Sequence, residues 1–361
     1  NLMKKKLTFL GIETSCDETA AAIVQQKSNG TAKVLSSVVS SQIKEHKKFG
    51  GVVPEIAARA HVENIDFIIN RALKESKIKL SQIDGVAATA GPGLIVCLTV
   101  GLNVGKSIAK FLNKPFVAVN HLEGHALSPG LEKKINFPYL LLLISGGHSQ
   151  FLIVNNINKY KQLGTTIDDA LGEAFDKTAK MLDLGYPGGP ILEKFAKKGD
   201  KKFFNLPQPI INKGGCNLSF AGLKTAVLRE TKKNKKSNQF KYNLAASFQE
   251  TINQILKKKT LVAMSQFKDL TKKNKATFVV AGGVAANKSI RESLSFISKK
   301  MNFNPTFPDL KFCGDNAAMI AWAGIRRFKK KLTDDANTAV AKSRWPLDKS
   351  APYMKGPGLK F

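Results

Sequence analysis

The sequence predicts an α/β protein of two domains, and three observations support that prediction. The chain has 361 residues, which suits two domains of roughly 150 to 200 residues better than one. Short apolar segments of strand length alternate with longer segments of helical periodicity, a pattern typical of buried sheets covered by helices. A strand–turn–strand pattern also occurs twice, which indicates a duplicated domain.

The repeated pattern is LTFLGIETSCDETAAAIV at 7–24 and YLLLLISGGHSQFLIV at 139–154. In each copy, two apolar runs flank a short turn of small and polar residues, which predicts a β-hairpin. We therefore expect each hairpin to open one half of the protein.

Similar elements follow the two hairpins. In the first half we expect strands at 33–41, 85–90 and 116–120 and helices at 54–75 and 94–112. In the second half we expect strands at 159–163 and 276–282 and helices at 168–184, 189–198, 243–268, 287–299 and 315–329. Residues 199–218 are rich in Lys, Gly, Asn and Pro and predict a loop. The predicted boundaries are an N-terminal lobe at 3–135, a C-terminal lobe at 136–332 and a tail at 333–361.

The composition is globular but strongly basic, with 43% hydrophobic residues, 23% charged residues and a formal net charge of +30. A polyanionic partner such as nucleic acid is the physical interpretation of that charge. Only seven of the 57 basic residues are arginine, although arginine is the usual residue for reading bases and phosphates. The lysine excess also fits an AT-rich coding sequence, so charge alone leaves both explanations open.

Cysteine spacing and hydropathy disfavour two classes of protein. The four cysteines are far apart and form no CxxC pair (Cys16, Cys97, Cys216 and Cys313). We therefore expect neither a disulfide framework nor a zinc ribbon, and a reducing cytoplasm fits better. No apolar run approaches the roughly 20 residues that a membrane-spanning helix needs.

The motif HLEGH at 121–125 follows a predicted apolar strand and is a candidate metal site. If it is helical, His121 and His125 lie one turn apart on the same face, a spacing that can clamp a divalent metal. Glu123 stands at the wrong position for the HExxH pattern of zinc peptidases and should point away from the histidines. A pair of solvated surface histidines is the alternative, but the position after a buried strand favours a metal.

Two histidines need a further ligand, and Asp315 is the candidate. It lies in CGDNAAMIA, where a helix is expected to begin. A carboxylate there can cap the helix, ligate a metal, or do both, and spacing alone leaves these roles open.

Glycine-rich turns provide candidate nucleotide-binding loops. Ser145-Gly146-Gly147 forms the turn of the second hairpin, and glycines there let the backbone approach a phosphate closely. The motif AGGVAAN at 281–287 lies between a strand and a helix, where a nucleotide can contact the helix N-terminus. Gly189 belongs to a third glycine-rich helix start. Asn287 is a candidate hydrogen-bonding residue for the ligand, or else a helix cap.

One apparent phosphate-binding motif is rejected. GLNVGKS at 101–107 has three residues between its glycines, where the P-loop needs four. It also lies inside an apolar helical pattern and is interpreted as a packed helix.

Three carboxylates remain as candidates for chemistry. Asp17 and Glu18 are adjacent in the first hairpin turn and could act as a general base or hold a magnesium-bound water, or simply be solvated. Asp176 is a candidate ribose ligand, with an exposed charge paired to Lys180 as the alternative.

The two hairpin-led halves resemble the actin, sugar-kinase and heat-shock ATPase superfamily. Within it, the chain resembles the bacterial tRNA N6-adenosine threonylcarbamoyltransferase family over about residues 7–330. The motifs that carry the resemblance are GIETSCDET, SSQIKEHKKFGGVVPEIAARAH, AGPGL, NHLEGH, LISGGHSQ, GEAFDKTAKML, YPGGP, AGGVAAN and GDNAAMIA.

The resemblance implies a fold and a set of site residues. The fold is two duplicated ribonuclease-H-like lobes with a cleft between them. The implied metal ligands are His121, His125 and Asp315. The implied contacts to the nucleotide-bearing substrate are Leu143, Ile144, Ser145, Gly146, Gly147, Asp176, Gly189, Glu193 and Asn287.

The family's reaction moves a threonylcarbamoyl group from threonylcarbamoyl-AMP to N6 of adenosine 37 in tRNAs that read ANN codons. The resemblance implies one divalent metal per subunit, iron(II) in first place and zinc as the alternative, with magnesium accompanying the nucleotide as a further expectation. It also implies protein partners in the cytoplasm: a shorter paralogue of the same fold (TsaB type) and a small P-loop ATPase (TsaE type). The competing functions are a small-molecule kinase of the same fold, a metal-dependent peptidase and a non-catalytic nucleotide-binding scaffold.

Overall fold

The computed structural model describes residues 6–235 and 237–352. Ten strands and ten α-helices occur within that part of the chain. Those of the first half are β1 (Leu7–Glu13), β2 (Glu18–Gln26), β3 (Ala32–Ser41), α1 (Ile43–Lys47), α2 (Pro54–Ser76), β4 (Gly85–Gly91), α3 (Ile95–Phe111), β5 (Phe116–Asn120) and α4 (His121–Leu127).

The second half begins with β6 (Tyr139–Ile144), β7 (Ser149–Asn156) and β8 (Lys159–Thr165). It continues with α5 (Leu171–Met181), α6 (Gly188–Ala196), α7 (Ala221–Lys233), α8 (Asn238–Thr271), β9 (Ala276–Ala281), α9 (Lys288–Lys300), β10 (Phe303–Thr306) and α10 (Ala317–Lys329).

Two five-stranded mixed sheets confirm the predicted duplication. The order is β3-β2-β1-β4-β5 in one sheet and β8-β7-β6-β9-β10 in the other. In both, an antiparallel hairpin (β1–β2 or β6–β7) is extended on the side of its first strand by parallel strands. The same pairing plan in both sheets is the structural counterpart of the repeated sequence pattern.

The chain divides into two compact units. The first contains the described residues of 1–136, 156–159 and 308–349, and the second those of 137–155, 160–307 and 350–361. This division differs from the predicted boundaries, which followed chain order. The difference arises because α10 packs on β1, β2 and β4, so a helix expected in the C-terminal lobe belongs to the first unit.

The core of the first unit lies on both faces of its sheet. Strands β1, β4 and β5 are buried along their whole length. Leu10 and Ile12 join an apolar cluster with residues of α2 and α3 on one face, and α10 covers the other. A Cβ on Gly11 would lie only 2.3 Å from the carbonyl oxygen of Ala317. The glycine therefore allows α10 to pack directly against β1.

Residues 334–345, part of the segment 333–361 that was predicted as a tail, pack on the first unit instead, whereas residues 353–361 of that segment lie outside the described part of the chain. The amide of Asp334 donates to Phe116 O at 2.9 Å, and that of Lys342 donates to Ala90 O at 2.7 Å. The side chain of Trp345 packs against the apolar cluster. Residues 334–345 form no helix or strand, which explains their weak periodicity, and contacts with other parts of the first unit hold them in place.

The remaining differences from the sequence prediction are local. Helices α1 and α7 and strand β10 were not predicted, whereas residues 199–218 contain no helix or strand, as expected. Among the described residues, no helix combines the length and apolar character that crossing a membrane requires. The four cysteines are all free thiols.

Candidate active site

The HLEGH motif forms the helix α4, so the condition for a histidine pair on one helix face is met. The helix begins directly after β5, and the side chain of Asn120 caps it by accepting a hydrogen bond from the amide of Leu122 at 2.9 Å. His121 and His125 are buried one turn apart, with ring centroids 4.7 Å from each other. The end of strand β5 thus positions α4 so that both imidazoles lie side by side.

Asp315 joins the two histidines across a long interval of sequence. Its Oδ1 lies 3.3 Å from His121 Nε2 and 3.0 Å from His125 Nε2. The cap of α10 is the neighbouring residue Asn316, whose side chain accepts from the amide of Met319 at 3.0 Å. The capping role considered for Asp315 is therefore wrong, because its carboxylate is turned towards the histidines.

Glu13, the last residue of β1, was not predicted as a site residue. Its side chain is fully buried, and its Oε2 lies 2.9 Å from His121 Nδ1. The oxygen Oγ of Ser15 lies 3.2 Å from the same nitrogen. One feature of the sequence could have indicated this role: Glu13 is the only charged residue of β1, and an uncompensated charge in a buried strand is costly.

The electrostatics of the cluster favour a cation. Burial opposes charge on His121, but the carboxylates of Asp315 and Glu13 overcome it and hold the pKa of the imidazole well above its ordinary value. Burial likewise works against charge on Asp315, and the two neighbouring imidazoles nevertheless lower the pKa of its carboxyl. The buried carboxylate of Glu13 and the partly buried one of Asp315 thus favour a positive charge beside them, which either a proton or a metal ion can supply.

The donor set fits a divalent transition metal. One ligand atom each from His121, His125 and Asp315 lies within 4.8 Å of the others. Two imidazole nitrogens and one carboxylate oxygen suit iron or zinc rather than calcium or magnesium, which prefer oxygen ligands alone.

Glu123 takes no part in this cluster. Its Oε1 lies 2.9 Å from Arg327 Nη1, and its Oε2 accepts from the amide of Asn158 at 3.0 Å. The prediction that Glu123 points away from the histidines is confirmed. A peptidase of the HExxH type needs a glutamate beside its histidines as a general base. Glu123 cannot serve as that base, because its carboxylate is buried in an ion pair with Arg327.

Asp17 and Glu18 lie at the end of the first hairpin turn, with Glu18 beginning β2. Burial, reinforced by the negative charges of Asp315 and Asp17, raises the pKa of Glu18 well above its ordinary value. The turn is held by His61, whose Nε2 lies 2.8 Å from Cys16 O and whose Nδ1 lies 2.7 Å from Thr19 Oγ1. Because a carbonyl can only accept, Nε2 carries a hydrogen. Burial lowers the pKa of the His61 ring and so favours its neutral form.

In the second unit, the predicted glycine-rich segments lie side by side. Leu143 and Ile144 are fully buried in β6 and can offer a ligand only their backbone. A Cβ on Gly282 would lie 2.3 Å from Ile144 O, and one on Gly172 would lie 2.7 Å from Ser145 O. The AGG loop and the start of α5 therefore both pack against the end of β6 and the SGG turn.

Four other glycines of these segments face open space. A Cβ on any of them would meet no heavy atom within 4 Å: Gly146, Gly147, Gly189 and Gly283. Packing of the protein does not explain these glycines. Surfaces of bare backbone of this kind suit close approach by a phosphate or a base.

Asp176 and Glu193, which were predicted to contact the substrate, make hydrogen bonds that link the same segments. Asp176 Oδ1 accepts from the amide of Gly188 at 2.7 Å, and Glu193 Oε1 accepts from the amide of Lys288 at 2.8 Å. Each carboxylate thus meets the N-terminal turn of a helix, where negative charge is stabilised.

Asn287 caps α9. Its side-chain oxygen accepts from the amide of Ile290 at 3.0 Å, and its Nδ2 donates to Gln249 Oε1 at 2.8 Å. One amide hydrogen of Nδ2 remains for a ligand, so the cap and the predicted substrate contact are compatible.

Known structures show the same fold. The chain aligns with HypF from T. kodakarensis with a TM-score of 0.59 at 13% identity, over 91% of this chain and 48% of that one. A full-length HypF in a phosphate- and nucleotide-bound form gives a TM-score of 0.56, also at 13% identity, over 91% and 47% of the two chains. These likenesses confirm the duplicated α/β fold predicted from the sequence.

Known sequences identify the family. Residues 33–322 match the family described as tRNA N6-adenosine threonylcarbamoyltransferase. A protein of that name from Pelagibacter ubique (strain HTCC1062) is 59% identical over 359 residues, covering 99% of this chain and 100% of its own. Another from Agrobacterium fabrum (strain C58 / ATCC 33970) is 50% identical over 357 residues, covering 98% of each. The chain belongs to the tRNA N6-adenosine threonylcarbamoyltransferase family.

Proposed function

We propose that this chain transfers the threonylcarbamoyl group of threonylcarbamoyl-AMP to N6 of adenosine 37 in tRNAs that read ANN codons, releasing AMP. The observation that carries the proposal is full-length similarity to transferases of this name, together with a cluster of two buried histidines and a partly buried aspartate whose ligand atoms lie within 4.8 Å of one another.

The chemical difficulty is the nucleophile. The lone pair of the adenine amine is delocalised into the ring, so the reaction needs close positioning and stabilisation of charge on the attacked carbonyl. N6 forms a bond to the carbonyl carbon, the bond from that carbon to the phosphate oxygen breaks, and the N6 proton passes to a base. The products are the modified adenosine and AMP.

Glu18 is the stronger candidate for that base, with Asp17 as the alternative. A general base is most effective when its pKa lies near the working pH. Burial and the nearby carboxylates shift the pKa of Glu18 in that direction. The contact of His61 with the turn, 2.8 Å from Cys16 O, would keep the carboxyl in place.

The nucleotide part of the donor is assigned to the second unit. The open backbone at Gly146, Gly147, Gly189 and Gly283 supports this, because nothing in the protein occupies the space beside it. Amide groups at the SGG turn would donate to the phosphate, and Asp176 would accept from a ribose hydroxyl.

His121, His125 and Asp315 would hold the divalent ion, which we propose is iron(II), with zinc as the alternative. When bound, it supplies a Lewis acid that orients and polarises oxygen atoms of the acyl donor. We propose separately that magnesium accompanies the nucleotide.

The partners proposed are tRNA, a shorter paralogue of the same fold and a small P-loop ATPase, with the reaction in the cytoplasm where tRNA is found. The family supports tRNA as substrate, and the net charge of +30 favours contact with its phosphates. The target adenine must leave its stack to be reached.

The test is transfer of labelled threonylcarbamoyl from threonylcarbamoyl-AMP to unmodified tRNA, with the purified chain, its partners, and with or without a chelator. We expect chelator-sensitive label at adenosine 37 with the wild type and none with His121→Ala, which should fold normally. Full transfer by that variant would contradict the metal role. No transfer by the wild type, beside a relative that works with the same partners, would contradict the proposed function.

A further inference from the structure

We propose that Glu13 is a positioning residue that orients His121 for metal binding, an inference that rests on the metal site proposed above. It concerns a residue of β1 that contacts one of the three ligands without being a ligand itself.

The geometry assigns a role to each nitrogen of His121. Glu13 Oε2 lies 2.9 Å from Nδ1, and an ionised carboxylate can only accept a hydrogen bond. The hydrogen therefore lies on Nδ1. In the neutral ring that can bind a metal, the lone pair then lies on Nε2, the nitrogen that is 3.3 Å from Asp315 Oδ1. Glu13 thus selects the tautomer that can bind a metal on the side of Asp315.

Glu13 is itself held in a single orientation. Thr89, on the adjacent strand β4, donates from Oγ1 to Glu13 Oε2 at 2.6 Å. The amide of Ser15 donates to the other carboxylate oxygen. Since both oxygens are engaged and the residue is fully buried, the carboxylate cannot rotate without losing a hydrogen bond.

The second histidine lacks such a partner. Within the described residues, His125 Nδ1 is buried and makes no hydrogen bond, although His125 Nε2 lies 3.0 Å from Asp315 Oδ1. Each imidazole thus has the Asp315 carboxylate near its Nε2, but in the part of the chain that the structure describes only His121 has a carboxylate at Nδ1 as well.

The position of Glu13 argues for function rather than strand stability. The other residues of β1 are apolar apart from Thr8 and are all buried. A buried carboxylate is expensive unless it is well paired. An apolar residue would complete the strand at less cost, so the pairing with His121 accounts for the carboxylate.

The experiment measures metal affinity directly. Full-length wild type, Glu13→Ala, Glu13→Gln and Thr89→Val are titrated with cobalt(II) against a competing chelator, and the visible spectrum of the bound ion is recorded. We expect Glu13→Ala to weaken binding by about 10- to 100-fold, the usual effect of removing a carboxylate behind a ligating histidine. Its spectrum should also change.

The two conservative variants should rank between alanine and the wild type. Glu13→Gln retains an oxygen that can accept from Nδ1, but its NH₂ group then faces the amide of Ser15. Thr89→Val removes one donor to Glu13 and leaves the carboxylate. Asp84→Asn is the matched control, because Asp84 accepts from the amide of Thr8 at 2.9 Å at the other end of β1. It should bind cobalt(II) like the wild type.

Several outcomes would overturn the inference. Wild-type affinity and spectrum in the Glu13 variants would do so, as would a lower melting temperature with unchanged metal affinity, which is the signature of a purely structural role. If Glu13→Ala does not fold, the Glu13→Gln and Thr89→Val affinities decide the matter by the same criteria. A wild type that binds no metal would remove the metal site and this inference together, whereas equal affinities in wild type and variants remove this inference alone.

Discussion

Glu123 Oε1 lies 2.9 Å from Arg327 Nη1, and both side chains are buried in the first unit. The pair joins α4, which carries the two histidines, to α10, which begins just after Asp315. Glu123 thus anchors the helix that carries His121 and His125.

Replacing Glu123 with Ala should therefore destabilise the protein strongly. The change leaves the Arg327 guanidinium buried without its carboxylate, which typically costs about 3–5 kcal/mol of unfolding free energy. Chemical denaturation of wild type and variant checks this value.

The matched control is Glu75→Ala. Glu75 pairs with Arg71 at 2.7 Å on the exposed surface of α2, where an ion pair contributes about 0–1 kcal/mol. Equal losses in the two variants would show that the buried pair contributes no more than a surface one.

Neighbouring substitutions at Asp315 and Asn316 should separate metal binding from helix capping. Asp315→Asn should weaken metal binding by at least about tenfold, because a ligand is lost. Asn316→Ala should lower the unfolding free energy by about 1 kcal/mol, because the amide of Met319 loses its acceptor. Metal titration and denaturation of both variants are the measurements. A larger metal defect in Asn316→Ala than in Asp315→Asn would be incompatible with these assignments.

Two glycines in the second unit should respond in opposite ways to alanine. Gly282 has φ of +97°, and its Cβ would meet Ile144 O at 2.3 Å, so Gly282→Ala should cost at least about 2 kcal/mol of stability. Gly147 faces open space. Gly147→Ala should therefore fold with near wild-type stability and bind AMP more weakly.

Calorimetric melting and AMP titration of the two variants provide the check. Normal AMP affinity in Gly147→Ala would argue against a nucleotide beside the SGG turn. A mild stability loss in Gly282→Ala would argue against the close contact with β6.

His61 should contribute to the acid sensitivity of the protein. Burial lowers the pKa of His61, although the hydrogen bond to Cys16 O partly offsets it. The unfolded chain therefore binds a proton near its ordinary pKa of about 6.5 while the folded chain does not. The stability due to a neutral His61 is complete above about pH 6.5 and decreases as the pH falls below it.

His61→Gln removes this proton uptake. Its stability deficit relative to the wild type should consequently shrink between about pH 6.5 and 5, by up to about 1.4 kcal/mol per pH unit. Denaturation at several pH values measures it. A constant deficit across that range would mean that His61 keeps the same protonation in both states.

The local structure could be predicted from the sequence to a large extent. Both hairpins and the strand Phe116–Asn120 follow from apolar periodicity and turn composition. The helix at HLEGH was assumed for the metal hypothesis rather than predicted from periodicity. The pairing of His121 with His125 needed only helical spacing. Asp315 was harder to place, because its motif fits a helix cap as well as a ligand, and the structure shows that the next residue takes the cap.

Contacts between distant segments could not be predicted. Glu13 meets His121 across 108 residues, and Glu123 meets Arg327 across 204. Neither contact has a periodic signal, because each depends on which strands and helices become neighbours in the folded sheet. The same holds for residues 334–345, because their backbone hydrogen bonds to Phe116 O and Ala90 O leave no periodic pattern in the sequence.

The discontinuity of the first unit has a consequence for synthesis on the ribosome. Chain growth delivers His121, His125 and Glu123 early, but Asp315 and Arg327 emerge only near the end. Residues 160–307 of the second unit are already complete by then. Domains tend to fold as their residues emerge, so the nascent first unit lacks the Asp315 partner of His121 and His125, and the Arg327 partner of Glu123, until those later residues are made. The cluster of two histidines and an aspartate can therefore form only after residues 160–307 of the second unit have been made.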